Sequence, residues 1–435
     1  MATHFNPIFW NTACLIVNSG ATEEGAGGQT DYSKIAKAIG EIRNKGIKVS
    51  LVDINHSDFG FKPDIENNQI LFGFKGMLNI GDEFVKQVID NRPYASMIDF
   101  YNRINPKRQA MIALIKGGAF DNMQSRYRSM VEYIWLTCDK KKRITLQNMP
   151  GLIKYGLLPE NDESQITARR IYEFNRYLKS ECKIDATKYS IDDRGMDFLC
   201  EMGYDEMVQS DRTLDAKIWD KNVYQIWMNV FRDWISANKD SILNELNNRI
   251  FMEEWNKYAK GSLSSWEMEV LCFYYHEHEL ENINKSKYGF ADFYELSTEP
   301  TIDKIFRRGE VQIPIYKLEK ICGTCIAKNK TKGIVYLLTT SGVVTVKFSK
   351  EYFSMFDRQI SRKNPDGTKT VVEKSWFNRG NMILVQGIRR GDDFIPKKYS
   401  STPGHQLYKI DEITEDGELI LRHDRMSGES EESDD

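Results

Sequence analysis

Near Val311 the hydrophobic pattern of this 435-residue chain changes period, from helical spacing to strict alternation. Beyond that point Ile334-Val335-Tyr336-Leu337-Leu338, Val343-Val344-Thr345-Val346-Lys347-Phe348, Met382-Ile383-Leu384-Val385 and Leu419-Ile420-Leu421 read as strands. Ser341-Gly342 supplies a hairpin turn between the first two. Phe394-Ile395 and residues 407–410 add short pieces. About five short strands in roughly 110 residues predict a small β-barrel over residues 311–422. One chain must therefore hold at least two architectures, and its length leaves room for two to four domains.

Upstream, the pattern is helical with short strands. Ile35, Ile39 and Ile42 at helical spacing, with Gly46 just beyond, predict a helix over 32–44. Residues 47–52 and 69–74 read as strands. Residues 20–29 form a Gly-rich loop without the Lys-Ser/Thr ending of a phosphate-binding P-loop. Residues 122–262 are helical, with few Gly or Pro, interrupted by the basic turn Lys140-Lys141-Lys142-Arg143. Trp219, Val223, Ile226, Trp227, Val230, Phe231 and Trp234 form a helical stripe expected to be core rather than a base-stacking platform. Residues 264–296 read as a further helix-rich stretch, with His276 and His278 as a surface pair.

The formal charge of −3 hides an uneven distribution. The last seven residues carry five acids, whereas residues 321–409 hold 16 Lys/Arg against six Asp/Glu, a net of +10. A basic segment with an acidic tail suits a polyanion ligand, with the tail competing for the same surface. No run of about 18 apolar residues is present, so no membrane partner is expected. Seven scattered Cys suit a reducing, cytoplasmic setting. Cys322 and Cys325 form a CxxC without a second pair, and strand packing is their expected role.

The stretch from Leu78 to Ile89 reads as a tight turn followed by a helix. Asn79 and Gly81 can both take positive φ, and Phe84, Val85, Val88 and Ile89 give the helix an apolar face. Backbone N–H groups at such a turn, together with the helix dipole, suit a phosphate oxygen. This is the physics of a helix-hairpin-helix, which grips duplex backbone without reading bases. The candidate duplex-contacting residues are Lys75, Leu78, Asn79, Ile80, Gly81 and Lys86. Asp82 opposes a phosphate and is expected to point along the helix start.

Taken together, several pieces resemble the fingers region of bacterial and phage DNA polymerase III alpha subunits. They are Asn6-Pro7-Ile8-Phe9-Trp10, a helix ending RNKGI, Asp53-Ile54-Asn55-His56-Ser57, Leu71-Phe72-Gly73-Phe74, the hairpin, and Leu114-Ile115-Lys116-Gly117-Gly118-Ala119-Phe120-Asp121. A second match runs from Ser265 to Tyr274 and on to His278. It departs from the family at Cys272, where Gly is usual, and at Glu279, where Pro is usual. Gly323-Thr324-Cys325, residues 342–348 and residues 379–387 are similar to strands of the family's OB-fold. The resemblance covers about 270 residues and is poor over 122–262.

The resemblance implies a multidomain, mainly α chain, with an α+β fingers segment containing the helix-hairpin-helix and a C-terminal all-β OB-fold barrel. The implied order is fingers over 1–61, duplex-gripping hairpin over 62–121, helices of unassigned role over 122–262 and a helical connector over 263–310. The OB-fold over 311–422 and an acidic, disordered tail over 423–435 follow. An OB-fold pairs a basic groove with aromatic faces to hold single strands. Lys347, Phe348, Tyr352, Trp376, Phe377, Arg389, Arg390, Lys397 and Lys398 are the candidates. The family's metal-holding carboxylates sit in a palm domain, and none of the acidic pairs here matches it: Asp192-Asp193 and Asp392-Asp393 read as loop acids. The expected function is thus the C-terminal portion of a replicative polymerase, inactive alone. Mg²⁺ would bind in the palm of an N-terminal partner half, with no cofactor on this chain. DNA, duplex and single-stranded, is the expected ligand, and a sliding clamp is a further candidate partner. Gln69-Ile70-Leu71-Phe72 looks like a clamp-binding peptide but falls on an expected buried strand. The alternative is a free-standing, non-enzymatic DNA-binding accessory protein.

Overall fold

The computed structural model describes residues 6–21, 30–308, 310–364 and 368–425. Most of the Gly-rich loop (22–29) and the last ten residues of the acidic tail lie outside the described residues. The chain divides into two compact units, Met1–Met130 with Gly261–Asp435, and Val131–Lys260.

In the first unit, α1 (Pro7–Ser19) and α2 (Tyr32–Asn44) precede a small sheet. Asp31 caps α2 by accepting from the Lys34 N–H, and Ile35, Ile39 and Ile42 are buried, as their spacing predicts. In the sheet, β1 (Lys48–Val49) lies parallel to β3 (Gln69–Leu71), and β2 (Lys62–Asp64) antiparallel to β3. Three helices follow: α3 (Asp82–Asp90), α4 (Met97–Ile104) and α5 (Arg108–Lys116).

The second unit contains α6 (Glu163–Ser180) and α7 (Gln225–Tyr258), and a two-stranded ribbon of β4 (Lys188–Ser190) and β5 (Thr213–Asp215). A π-helical turn, Asp220–Tyr224, precedes α7. It rotates the apolar stripe relative to an uninterrupted helix. Trp219 and Val223 are buried in one cluster, and Met228, Phe231 and Ile235 in the next. Trp227 and Trp234 pack half-buried against these clusters, so most of the expected stripe is core, whereas Val230 is half-buried and Ile226 exposed.

The first unit resumes with α8 (Leu263–Leu271), which ends at Cys272 in a left-handed conformation, φ 64°. The expected helix-rich stretch therefore breaks early; beyond it lie only short turns of helix at Lys285–Tyr288 and Phe293–Glu295. An antiparallel ribbon, β6 (Ile302–Arg308) with β7 (Val311–Tyr316), comes next. Then β8 (Glu319–Asn329), β9 (Ile334–Thr339) and β10 (Gly342–Lys347) form a meander. Helix α9 (Lys350–Asp357) and the ribbon β11 (Ile360–Lys363) with β12 (Lys369–Glu373) lead to β13 (Met382–Arg390) and β14 (Asp393–Pro396). Strand β14 pairs parallel with β10 and antiparallel with β13, and β13 pairs with β8, so five strands close into a barrel. The order β8-β9-β10-β14-β13, with a helix between the third and fourth strands in sequence, is that of an OB-fold. Outside the ring, β15 (Leu407–Ile413) and β16 (Leu419–Arg422) extend the sheet from β13. Alternate residues Val335, Leu337, Val344, Val346, Ile383 and Val385 fill the barrel interior, which explains the period of two.

Candidate nucleic-acid interface

The hairpin is built from the inside outward. A 3₁₀ turn, Phe74–Gly76, is hung from neighbouring backbone by Phe74 N–H to Asp58 O (3.1 Å) and Lys75 N–H to Phe59 O (2.9 Å). Met77 is buried, and the Leu78 N–H donates to Val270 O at 2.9 Å. Asn79 then turns the chain at φ 64° and stands exposed. Gly81 differs from expectation: its backbone is extended, φ −92° and ψ 153°, so it is not there for a left-handed turn. What glycine supplies is clearance. A Cβ at Gly81 would have no protein atom within 4 Å, and no side chain caps the first turn of α3. That turn presents its backbone face outward, the geometry a phosphate approach needs.

The electrostatics are less simple than the sequence suggested. Lys75 is only 14% exposed and bonds Asp82 at 2.7 Å, so it neutralises an acid at the helix start instead of standing free for a phosphate. The carboxylate of Asp82, which would oppose a phosphate, is thereby paired. Lys86 and Asn79 are exposed, and Leu78 and Ile80 half-buried. Val85 and Val88 bury the inner face of α3.

The LIKGGAFD element explains how the hairpin is held. A Cβ at Gly117 would come within 2.5 Å of the Met77 methyl, so glycine there lets the residue before the hairpin pack onto α5. Gly118, at φ 81°, would strike Arg126 and Asp121. Arg126, almost wholly buried, donates to Asp121 (2.6 Å), to Glu267 (2.9 Å) and to the Lys116 carbonyl (3.1 Å). Glu267 is fully buried and accepts from the Tyr275 and His276 N–H groups and from the His276 ring at 2.6 Å. His276 is exposed, as expected, and is anchored at the surface by this buried acid. His278, expected at the surface as well, is instead buried, donating to the Leu338 carbonyl of β9 at 2.9 Å and accepting from the Leu280 N–H at 3.0 Å. Burial pushes its pKa down to about 4, so it sits neutral. Sequence reasoning did not single out Arg126 or Glu267. Glu267 lay inside a matched stretch, but its partner is 141 residues away.

The barrel residues divide sharply. Trp376 and Phe377 are buried in the barrel core, Trp376 donating its ring N–H to Glu373 at 2.8 Å. Phe348 is buried there as well, stacked on Tyr352 at 6.1 Å, and burial pushes the Tyr352 hydroxyl up to about 12. These rings plug the barrel end, so Phe348, Trp376 and Phe377 have no free face for a base. Arg389 is structural too: it donates to the carbonyls of Phe293 (2.9 Å) and Leu296 (2.8 Å) and lies over the Phe293 ring. Lys347 is exposed but paired with Asp393. Arg390 and Lys398 are exposed, and Lys397 lies between Tyr316 and Tyr399, at 5.2 and 5.3 Å from their centroids.

The outer surface of β9 and β10, the face OB-folds use for ligands, is partly covered. Tyr336, Leu338 and Val343 pack with Ala36 of α2, Met268 of α8 and Tyr274. Beside this contact a cleft of about 750 Å³ remains, lined in part by Lys34, Lys37, Tyr294, Tyr336, Thr345 and Asp392. A second cleft of about 460 Å³ gathers Lys328, Lys330, Arg358 and Lys374 around Asp357. Burial alone would raise the Asp357 pKa, but hydrogen bonds from Lys328 and Ser375 outweigh it and hold the carboxyl below its usual range.

The remaining sequence candidates are structural. Asp192 caps the helix Asp193–Met202, Asp193 pairs with Arg212, and Asp393 with Lys347. Among the described residues no group of three or more His, Cys, Asp or Glu is placed to hold a metal ion. Cys325 lies in the barrel core and Cys322 in a neighbouring cluster, each thiol pushed up to about 12 by burial. Ile70 and Phe72 are fully buried, so the clamp-like peptide is not presented. No helix among the described residues is long and apolar enough to cross a membrane.

Comparison with known proteins agrees with the geometry. A helix-hairpin-helix motif family matches residues 46–130, which hold the hairpin and the LIKGGAFD element. A probable DNA polymerase, YorL, of Bacillus subtilis (strain 168) is 38% identical over 437 residues, 96% of this chain. So is a DNA-directed DNA polymerase of Bacillus phage SPbeta. This chain is a relative of bacterial and phage DNA polymerases. It spans about a third (33%) of the length of those two relatives. The DNA polymerase III subunit alpha of Thermus aquaticus is 32% identical over 105 residues, 22% of this chain and 8% of its own length. The polymerase resemblance thus reaches residues 122–262, where likeness to the alpha subunits alone had been poor.

Proposed function

We propose that this polymerase relative is the DNA-handling portion of a template-directed DNA polymerase. In this reading the α3 hairpin holds duplex backbone and the barrel region holds single strand. Nucleotide addition is assigned to metal-holding carboxylates outside these 435 residues, on a palm-bearing portion or partner, where Mg²⁺ would act on both oxygens of the displacement. The observation that carries the reading is the unobstructed backbone at Gly81, set in a chain alike along 96% of its length to DNA polymerases. The barrel contribution is narrower than its sequence promised. Tyr352, Arg390, Lys397 and Lys398 stay as contact candidates, and Phe348, Trp376 and Arg389 support the fold.

Fluorescence anisotropy with a primed hairpin duplex tests the reading. Affinity is expected to fall steeply between 50 and 200 mM salt, because phosphate contacts release counterions. Flat salt dependence, or no binding at 50 mM salt, contradicts it. Primer extension by the purified chain with Mg²⁺ is expected to give no incorporation, and incorporation that survives purification removes the assignment of catalysis elsewhere.

A further inference from the structure

The second unit carries a charged cleft that the hairpin and the barrel do not account for. It encloses about 540 Å³, and its cations are Arg143, Arg232 and Lys239. No carboxylate lines it. Arg232, Ser236 and Lys239 fall on one stripe of α7 at spacings of four and three, so the two basic residues leave the backbone about 10 Å apart along the axis. Arg143 comes from the opposite wall, at the end of the basic turn 140–143.

That wall is fixed. The Asn247 side chain accepts from the Lys141 N–H at 2.7 Å and donates to the Lys141 carbonyl at 3.0 Å, clamping the turn onto α7. Just beyond Arg143, Thr145 and Asn148 form a capping box that sets the next turn. Ile144 and Ile235 supply an apolar floor.

The cations here are unspent. Among the described residues none of the three is paired with a carboxylate, and Arg232 makes only a 2.6 Å bond to the Asn229 amide. Lys328 and Lys347 of the barrel, by contrast, are each tied to an aspartate. Three facing cations without counter-charge repel one another, and an anion relieves that repulsion. A run of phosphates can engage three cations rooted on two segments of the chain, each with its own charge. The apolar floor suits the sugars between them.

We propose that this cleft binds the sugar–phosphate backbone of a nucleic-acid strand, a contact additional to the hairpin and the barrel. The choice of nucleic acid over another polyanion rests on the DNA-handling role proposed above. The test uses the full chain and a fluorescein-labelled 20-nucleotide single strand. Wild type, Arg143→Gln/Arg232→Gln/Lys239→Gln and the charge-keeping Arg143→Lys/Arg232→Lys are compared by anisotropy from 50 to 200 mM salt.

The triple variant is expected to bind about tenfold more weakly at 50 mM, with a log–log salt slope shallower by about 2, near 0.7 per lost phosphate contact. Its melting temperature should not change, and the Lys variant should keep most of the affinity. A triple variant with wild-type affinity and slope overturns the proposal and leaves the DNA-handling role standing. Absence of salt-dependent binding by the wild type removes that role, and this proposal with it. Polyglutamate of equal charge that binds as tightly, and is lost in the triple variant, would make the cleft a site for acidic protein and overturn the proposal.

Discussion

Single residues carry more of this design than their neighbourhoods suggest. Cys272 occupies a left-handed position, φ 64°, where the resembled family usually has glycine, and it is fully buried. A non-glycine residue there costs on the order of 1–3 kcal/mol. Cys272→Gly should therefore leave stability within about 1 kcal/mol of wild type, trading relief of strain against lost packing. Cys272→Val should lose about 2 kcal/mol or more, read from urea midpoints. His278 makes a prediction in pH. Its folded pKa of about 4 lies below the ordinary 6.5, so the unfolded chain takes up its proton first. The stability that neutral His278 contributes is complete above about pH 6.5 and is lost as pH falls toward 4, up to about 3 kcal/mol. Glu279, whose carboxyl burial raises, acts in the opposite sense. The His278 contribution is therefore the difference between wild type and His278→Gln in denaturation between pH 7 and 4, and parallel curves would refute it.

Between elements, the hairpin is held by what packs beneath it, Met77 against Gly117 and the Leu78 N–H on the Val270 carbonyl. Gly81→Val separates fold from function: its Cβ meets no protein atom within 4 Å, and an extended backbone suits it. The melting temperature should stay within about 2 °C, while duplex affinity drops on the order of tenfold by anisotropy. Unchanged affinity would mean the backbone at Gly81 is not approached. Arg126 and Glu267 join the hairpin region to α8 inside the protein, and an unpaired buried charge is costly. Glu267→Ala should destabilise the first unit by about 3–5 kcal/mol in chemical denaturation, which loss of an exposed pair would not do.

On the scale of the molecule, two units are built around separate interiors. Clusters centred on Trp219 and on Phe231 draw only on residues of the second unit, and the barrel cluster only on the first. Residues 131–260 produced alone should thus melt cooperatively with a helical circular-dichroism spectrum. A broad, non-cooperative loss of signal would show that this interior is not self-sufficient.

Much of the local structure was legible in the chain. The bounds of α2, the β9–β10 hairpin and the buried stripe around Phe231 follow from periodicity and turn chemistry, which act over a few residues. The hairpin was legible as a turn before a helix, although the part played by Gly81 was not, since φ and clearance depend on what surrounds it. Trp376 and Phe348 show the limit most plainly: aromatic residues in a basic segment read alike whether they face a ligand or plug a barrel. Only closure of β14 onto β10 and β13 put them inside. Likewise Arg126 and Glu267, or Arg143 and Lys239, are distant in sequence, and the folded chain alone makes the first an ion pair and the second one cleft. Periodicity wrote the elements; burial and long-range pairing, which no local pattern encodes, chose which charges were spent and which were left for a ligand.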